Sequence, residues 1–192
     1  MAIQSLFFAR HHGALDASTN TFAKAHEQII DLGGCEVLLL LQSLKSCNLS
    51  WATKPGMAVR YDLTDLDLSF DVFFLSDMAL RIVTTDADKV TALLNSASEH
   101  FDVDVMPRPE LASVHFSGPD AADFLGQQFS LYMGMALGQN TQHYGVQCGA
   151  CFVVASADSG EQYYRVFAHL DALNNVTHSL TGAHFNPQAH AA

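Results

Sequence analysis

The sequence has few basic residues, few cysteines and no long apolar run. Lysine and arginine number 9 against 20 aspartates and glutamates, which gives a net charge of -11 over 192 residues. An acidic surface of this kind repels the phosphates of nucleic acid, so no nucleic-acid partner is expected. The longest aliphatic run, Val37 to Leu41, is far shorter than the roughly 20 residues that cross a bilayer, so no membrane span is expected.

The segment from Met1 to Gly13 lacks the apolar core of a secretory signal, because only Leu6 to Ala9 form an apolar patch before Arg10. Four unevenly spaced cysteines are also too few to suggest a disulfide framework in a chain of this length. We therefore expect reduced thiols and a cytoplasmic location. An apolar content of 49% against 15% charged residues is ample for a folded core.

The N-terminal part of the chain has the weaker pattern. Apolar side chains recur at helical spacing from Phe22 to Ile30, up to the glycine pair at 33 and 34, which predicts an amphipathic helix. The following segment, Glu36 to Leu44, is apolar without a clear period and fits either a buried strand or a buried helical turn. We favour the strand.

From residue 65 onward the pattern is more regular. Apolar residues alternate with polar ones from Leu66 to Phe74, which predicts a strand that forms a hairpin with a second strand and has one solvated face. The other predicted elements, in order, are a helix at 86–101, strands at 103–105 and 112–116, a helix at 120–125, an irregular segment at 126–144, strands at 146–157 and 161–168, and a helix ending at Gly182.

A repeated order of two strands followed by a helix is typical of an α+β fold, with an antiparallel or mixed sheet, helices on one face and repeated ββα units. We divide the chain accordingly. Residues 1–60 are predicted to be an N-terminal helix and short strand packed on the main domain, residues 61–182 the main α+β domain, and residues 183–192 a flexible tail.

Cys148 and Cys151 have the two-residue gap of zinc and dithiol motifs, and Cys35 and Cys47 could complete a four-thiolate set. However, the pair falls inside a predicted strand, where positions three apart face opposite sides of the sheet. Buried structural cysteines are therefore the favoured interpretation, and no metal site is predicted.

Histidines and aspartates are numerous but lack the spacing of a catalytic or metal-binding motif. No pair of histidines flanks a glutamate at one-turn spacing, and Asp65, Asp67 and Asp71 have neither the glycine turn nor the closing glutamate of a calcium loop. These aspartates are predicted to lie on a solvated face that could meet a basic surface of another protein. His115 is predicted at a surface or interface, because it alternates with the apolar Val114 and Phe116. We predict no catalytic residue.

The segment from Leu111 to Leu125 combines a strand, a Gly-Pro pair, two alanines and a Phe-Leu pair. It resembles the signature of the aminomethyltransferase-like superfamily, which includes the glycine-cleavage T-protein, folate-binding iron-sulfur-maintenance proteins and the gamma subunit of heterotetrameric sarcosine oxidase. The order of elements from about Asp71 to Gly182 is also similar. Chain length favours the gamma subunit, because the other two proteins are considerably longer.

The resemblance implies a non-catalytic, docking or scaffolding subunit of a flavin-dependent, folate-linked complex that demethylates an amine. It implies that this chain binds no cofactor alone, whereas FAD, FMN, NAD and tetrahydrofolate belong to larger flavoprotein subunits. It also implies that the acidic strand pair and the elbow from Gly118 to Leu125 are docking or scaffolding elements, with Phe73, Phe74 and Phe129 as apolar anchors at an interface. The predicted interface residues are thus Asp65, Asp67, Asp71, Phe73, His115, Gly118 and Phe129.

Two other functions fit the same sequence. One is a stand-alone folate-binding module or small enzyme of the same fold, which would bind tetrahydrofolate without partners. The other is a self-associating structural protein, because 49% apolar residues is a high content for an acidic monomer.

Overall fold

The computed structural model describes residues 19–45, 49, 52, 54–131, 143–158 and 161–187. In these ranges eleven strands form one sheet, with four α-helices packed on it. The strands are β1 (Thr21–Ala25), β2 (Gln28–Gly33), β3 (Met57–Leu63), β4 (Leu68–Ser76), β5 (Ala79–Thr84), β6 (Asp104–Arg108), β7 (Leu111–Ser117), β8 (His143–Cys148), β9 (Cys151–Asp158), β10 (Glu161–His169) and β11 (Asn186–Pro187). The helices are α1 (Val37–Leu44), α2 (Ala87–Ser98), α3 (Ala121–Phe129) and α4 (Leu170–Gly182).

The strands lie in the order β11-β1-β7-β10-β9-β8-β3-β4-β5-β2-β6. β11 runs parallel to β1, and the other neighbouring pairs are antiparallel, so the sheet is mixed. Three ββα units follow one another along the chain: β4-β5-α2, β6-β7-α3 and β9-β10-α4. The predicted fold class, an α+β fold built on a mixed sheet, is confirmed.

The sheet curls so that its two halves face each other. β10 and β4 are four strand spacings apart in the sheet, which is about 19 Å if the sheet is flat. Nevertheless, Nη2 of Arg165 on β10 lies 2.8 Å from Oδ2 of Asp71 on β4. The strands from β11 to β8 in the sheet order, here the first half-sheet, therefore face the strands from β3 to β6, here the second half-sheet.

Each half-sheet has an outer face covered by helices and an inner face that meets the other half. Side chains alternate between these faces, so Tyr164 and Val166 of β10 pack in the core beneath α3 and α4, whereas Phe167 packs in the core between the half-sheets. The second half-sheet packs its outer face against α1 and α2. All four helices thus lie on the outer face of the curled sheet, which confirms the predicted one-sided arrangement.

Both predictions for the N-terminal elements are wrong. Residues 21–33 form two strands instead of a helix, and residues 37–44 form a helix instead of a strand. β2 is buried on both faces, with Ile29 in the inner core and Ile30 in an outer core, so its apolar residues lack a two-residue period. The buried residues of α1 are Val37, Leu40 and Leu41, at the spacing of one helical face.

The glycine pair ends β2 instead of a helix. Gly34 has a φ of +138°, and a Cβ at this position would lie 2.0 Å from the backbone oxygen of Asp102. Only glycine permits both this φ and this approach of two backbones. The pair marks a close crossing of two chain segments, which a single sequence cannot distinguish from a helix end.

Smaller differences lie further along the chain. The predicted irregular segment begins with residues 126–129 in α3 and ends with residues 143–144 in β8, while residues 132–142 lie outside the described residues. In the predicted tail, β11 pairs with β1, and residues 188–192 lie outside the described residues. In the described ranges there is no helix of the length and hydropathy needed to span a membrane.

Candidate functional site

A buried group of charged side chains lies between the half-sheets, centred on Arg165, which is 1% exposed. Its Nη1 donates to Oε1 of Glu27 at 2.9 Å, and its Nη2 donates to Oδ2 of Asp71 at 2.8 Å. Glu27 lies in the link between β1 and β2, and Asp71 lies on β4. Arg165 therefore connects the two half-sheets to each other and to this link.

The two carboxylates are ionised because Arg165 faces them. Burial by itself would raise the pKa of Glu27, but the charge of Arg165, with a smaller contribution from His115, lowers this pKa to about 2. Burial likewise opposes ionisation of Asp71, yet the charge of Arg165, together with the contact with His143, holds the pKa of that carboxyl well below its usual range. The cluster thus consists of buried charged side chains of opposite sign that stabilise one another's ionised forms.

His143 and Ser156 connect the cluster to β8 and β9. Nδ1 of His143 lies 3.3 Å from Nη2 of Arg165 and 2.8 Å from Oγ of Ser156. Because a guanidinium group only donates hydrogen bonds, this Nδ1 is an acceptor, and the ring N–H of His143 is on Nε2. That atom lies 3.2 Å from Oδ1 of Asp71.

A carboxylate, an imidazole and a hydroxyl at these distances are also the groups of acid-base and nucleophilic catalysis. Here, however, the side chains of Asp71 and His143 are 3% and 5% exposed. The hydroxyl of Ser156, in turn, accepts a hydrogen bond from Nη2 of Arg165 at 2.9 Å. These contacts favour an electrostatic link between the half-sheets over a reacting site.

A second group of charged residues lies further along the same interior, where it opens to solvent. Arg81 of β5 donates to both carboxylate oxygens of Asp31 on β2, at 2.7 and 3.0 Å. Arg108 of β6 donates to the same carboxylate at 2.8 Å. These arginines line a cleft of about 300 Å³ together with Phe152 and His169. Unlike the Arg165 cluster, this group is accessible from outside.

The predicted acidic face is only partly on the surface. Asp65 and Asp67 are exposed, in and directly after a 3-10 turn before β4. Asp71 and Phe73, by contrast, are 2% and 0% exposed, so the predicted solvated face of this hairpin is wrong. Both side chains point into the interior that forms when the sheet curls. A role of Asp65 and Asp67 in an interface stays a prediction.

The other predicted interface residues lie on the first half-sheet. His115 is 8% exposed, contrary to its predicted surface position, with Nε2 located 2.7 Å from Oε2 of Glu27. Gly118 has a φ of +125° in the turn before α3. Phe129 ends α3 and packs, partly buried, against the core of the first half-sheet. An interface role of Gly118 and Phe129 is still a prediction.

Arg81 and Arg165 were not predicted as site residues, although each is buried and paired with a carboxylate. Each stands alone among apolar neighbours in a strand, as in the run from Tyr163 to Phe167. A charged residue at such a position is buried only when it is paired, so each could have been taken as evidence for a partner carboxylate. The identity of that partner depends on the curling of the sheet.

Cys148 and Cys151 do not lie within one strand as predicted. Cys148 ends β8 and Cys151 begins β9, and the two are direct cross-strand partners around the turn Gly149-Ala150. Their side chains therefore share one face of the sheet. Both are free thiols, as is Cys35. Cys47 lies outside the described residues, and the part of the chain that the structure describes contains no group of three or more His, Cys, Asp or Glu suited to a metal ion.

We expect slow alkylation of Cys148 and Cys151 in the folded protein. Burial raises the pKa of both thiols, and the neighbouring Cys148 raises that of Cys151 further, so the reactive thiolate is scarce at neutral pH. Iodoacetamide labelling at pH 7.5, followed by peptide mass spectrometry, is expected to be slower in the native chain than in urea. Equal rates in the two states would contradict this arrangement of the hairpin.

No family model matches the chain. Among solved structures, aminomethyltransferase T of the glycine cleavage system from Bartonella henselae superposes with a TM-score of 0.69 and 18% identity over 88% of this chain. The match covers 48% of that protein, so this chain spans about half its length. A chain of heterotetrameric sarcosine oxidase from Corynebacterium sp. U-96 superposes with a TM-score of 0.65 and 16% identity, over 90% of this chain and 88% of that one. The chain thus has the aminomethyltransferase-like fold that these two proteins share.

Proposed function

We propose that the chain is a docking or scaffolding subunit, without an active site of its own, in a flavin-dependent amine-demethylating oxidase complex. The observation that carries the proposal is the extent of the match to the sarcosine oxidase chain, which covers 90% of one chain and 88% of the other. The match to the aminomethyltransferase covers only 48% of that enzyme. In length and fold the chain corresponds to a component of a hetero-oligomer more closely than to a whole transferase.

The chemistry of the interior supports the same proposal. The buried carboxylates at Glu27 and Asp71 are already bonded to Arg165, so their charges are used to join the half-sheets. Phe73 and Phe152 pack edge to face at a centroid distance of 5.3 Å, and Phe167 lies 6.2 Å from Phe152. These contacts between rings fill the interior between the half-sheets at this position.

We therefore assign no cofactor to this chain alone and place FAD, FMN, NAD and tetrahydrofolate, where the complex uses them, in larger flavoprotein subunits. A cytoplasmic location likewise remains a prediction.

Purification of the tagged chain from its own host tests the proposal. The expected result is co-elution with larger flavin-containing proteins in a fixed ratio, together with oxygen uptake that depends on a secondary or tertiary amine. Elution of the chain without a flavoprotein would contradict the proposal.

A matched pair of variants tests whether the exposed aspartates take part in docking. Asp65 and Asp77 are both exposed and lie beyond opposite ends of β4. Asp65→Lys is expected to lower recovery of the flavoprotein severalfold, because the charge that would meet a basic partner surface is reversed. Asp77→Lys serves as the control and is expected to leave recovery unchanged. An equal effect of the two would remove Asp65 from the interface.

The two other candidate functions give different results in the same preparation. A stand-alone folate-binding module would show saturable binding of tetrahydrofolate to the isolated chain by calorimetry. A self-associating structural protein would form homo-oligomers by light scattering without any flavoprotein. Either result, without a flavoprotein partner, would replace the proposal.

A further inference from the structure

A cleft lies beside Arg81 at the end of β10, where His169 lines it four residues after Arg165. Its volume is about 300 Å³. Its polar lining consists of two arginines, a glutamine and a histidine, and its apolar lining of two phenylalanines, a leucine and an alanine. Six of the lining residues bear on which ligand the cleft can hold: Arg81, Arg108, Leu111, Gln147, Phe152 and Phe167.

Arg81 is held in one orientation by contacts on several sides. Its Nε and Nη2 donate to Asp31, and its Nη1 donates to Oε1 of Gln147 at 2.9 Å. Its guanidinium carbon lies 4.6 Å from the centre of the Phe152 ring, a cation-π distance. With a side chain 11% exposed, this guanidinium is positioned before any ligand arrives.

The two arginines have more hydrogen-bond donors than their protein partners use. Each guanidinium has five N–H groups. Arg81 uses three of them, for Asp31 and Gln147. Arg108 uses two, one to Asp31 and one from Nε to Oε1 of Glu110 at 2.5 Å. Among the residues that the structure describes, no hydrogen bond uses the remaining N–H groups of these two arginines, and both side chains line the cleft.

The net charge of these side chains and the apolar lining of the cleft limit which ligand can bind. Two arginines face two carboxylates, so the group is nearly neutral, which disfavours a multiply charged phosphate ligand. The chain has only five arginines at a net charge of -11, and two of them lie at this cleft. The buried Phe152 and Phe167 form its floor with Leu111 beside them. A ligand with one negative charge attached to an apolar group therefore matches both the arginines and the apolar floor of the cleft.

We propose that this cleft binds a carboxylate attached to an apolar or aromatic group. The carboxylate accepts the unused N–H groups of Arg81 and Arg108 in paired hydrogen bonds, the geometry that guanidinium and carboxylate prefer. The apolar body lies against Leu111 and Phe167. The negative charge of Glu110, which is bonded to Nε of Arg108, opposes the binding of a ligand carboxylate beside this arginine. This site is separate from the proposed role as a subunit and does not depend on it.

Titration of the isolated chain with benzoate, followed by NMR or calorimetry, tests the proposal. We expect a dissociation constant on the order of 1 mM. Benzamide has the same ring without the charge and is expected to bind about tenfold more weakly, because a charge-assisted hydrogen bond is replaced by a neutral one. Equal binding of benzoate and benzamide, or no saturation by benzoate, would overturn the proposal.

Two variants with opposite expected effects separate binding from general damage to the fold. Arg108→Gln removes donors at a half-exposed position and is expected to weaken benzoate about tenfold. Glu110→Gln removes the opposing negative charge and is expected to strengthen benzoate severalfold. Lys89→Gln removes an exposed cation outside the cleft and is expected to change nothing. Weakening by Glu110→Gln, or no change with Arg108→Gln, would contradict the site.

The carboxylate has two possible sources, a free metabolite or the end of another polypeptide. An acetylated dipeptide that ends in phenylalanine with a free carboxylate distinguishes them, with its C-terminal amide as the control. Tighter binding of this peptide than of benzoate assigns the cleft to a chain terminus, and tighter binding of benzoate assigns it to a small free acid. Equal binding of the dipeptide and its amide, with no binding of benzoate, would overturn the proposal in both forms.

Discussion

Replacing Arg165 with methionine is expected to lower the free energy of unfolding by about 3–5 kcal/mol at pH 7.5, measured by urea denaturation. Methionine has a similar length but no charge, so the variant leaves Glu27 and Asp71 ionised, buried and without their shared cation. Loss of one partner from a buried ion pair costs more than the pair contributes, because the remaining charge stays desolvated. Lys24→Met, on the exposed side of β1, is the control and is expected to change stability by less than about 0.5 kcal/mol.

The same variant is expected to reverse the pH dependence of stability in mild acid. In the native protein the pKa of Glu27 is about 2 and that of Asp71 is also depressed, both below their unfolded values. Their stabilisation is therefore complete above about pH 5 and is lost as the pH falls toward 2. Without Arg165, burial raises both pKa values, so protonation favours the folded state. The destabilisation by Arg165→Met is expected to be smaller at pH 5 than at pH 7.5.

A loss of stability below about 1 kcal/mol, or an equal loss at both pH values, would contradict the role given to Arg165. Either result would mean that the charge of Arg165 does not join the half-sheets through Glu27 and Asp71.

Phe73→Ala is expected to lower the free energy of unfolding of the isolated chain by about 3–5 kcal/mol. The side chain is fully buried and contacts the ring of Phe152 edge to face at 5.3 Å, so truncation leaves a cavity between the half-sheets. The control is Leu66→Ala, at a residue 53% exposed just before the same strand, with an expected change below about 0.5 kcal/mol. Thermal or urea unfolding of the two variants gives the comparison.

This experiment also distinguishes the two positions considered for Phe73. A surface anchor for a partner subunit would leave the isolated chain as stable as the parent and weaken only assembly. Unchanged stability of Phe73→Ala would therefore support a docking position and contradict the interior contact with Phe152.

The ββα rhythm after residue 65 was predictable because its elements follow local rules. The helix stripe at Val90 and Leu94 packs on the outer face of the second half-sheet as its spacing indicates, and α4 ends at Gly182 as predicted. The outer faces of the half-sheets are covered by helices, so the side chains on these faces are apolar. This regular apolar pattern is the one from which the buried face of a strand or helix is assigned in a sequence. Patterns of this kind depend on neighbours only a few residues away.

The inner faces could not be predicted in the same way. An isolated antiparallel sheet has one wet face, and by that rule Asp71 and His115 belong to solvent. In this protein the sheet curls, so the face expected to be solvated becomes the interior between the half-sheets. Polar side chains at these positions then bind partners such as Arg165, which come from strands far apart in sequence. The curling of a sheet results from all its strands together and has no local signature in the chain.

The wrong prediction of a helix in place of β1 and β2 has a related cause. β1 and β2 pair at different places in the sheet, β1 beside β7 and β2 between β5 and β6. A strand buried on both faces shows no alternation, and the short link at Glu27 carries no turn signal. The apolar spacing of the two strands together then coincides with that of a helix.

The mass of the native assembly, measured on complexes isolated from the host without dissociation, tests the proposed function most directly. We expect a mass made up of the 20.9 kDa chain and larger flavin-containing subunits in a fixed ratio. A mass equal to 20.9 kDa, or to a whole multiple of it, would mean that the chain works alone or with copies of itself and would overturn the proposed function.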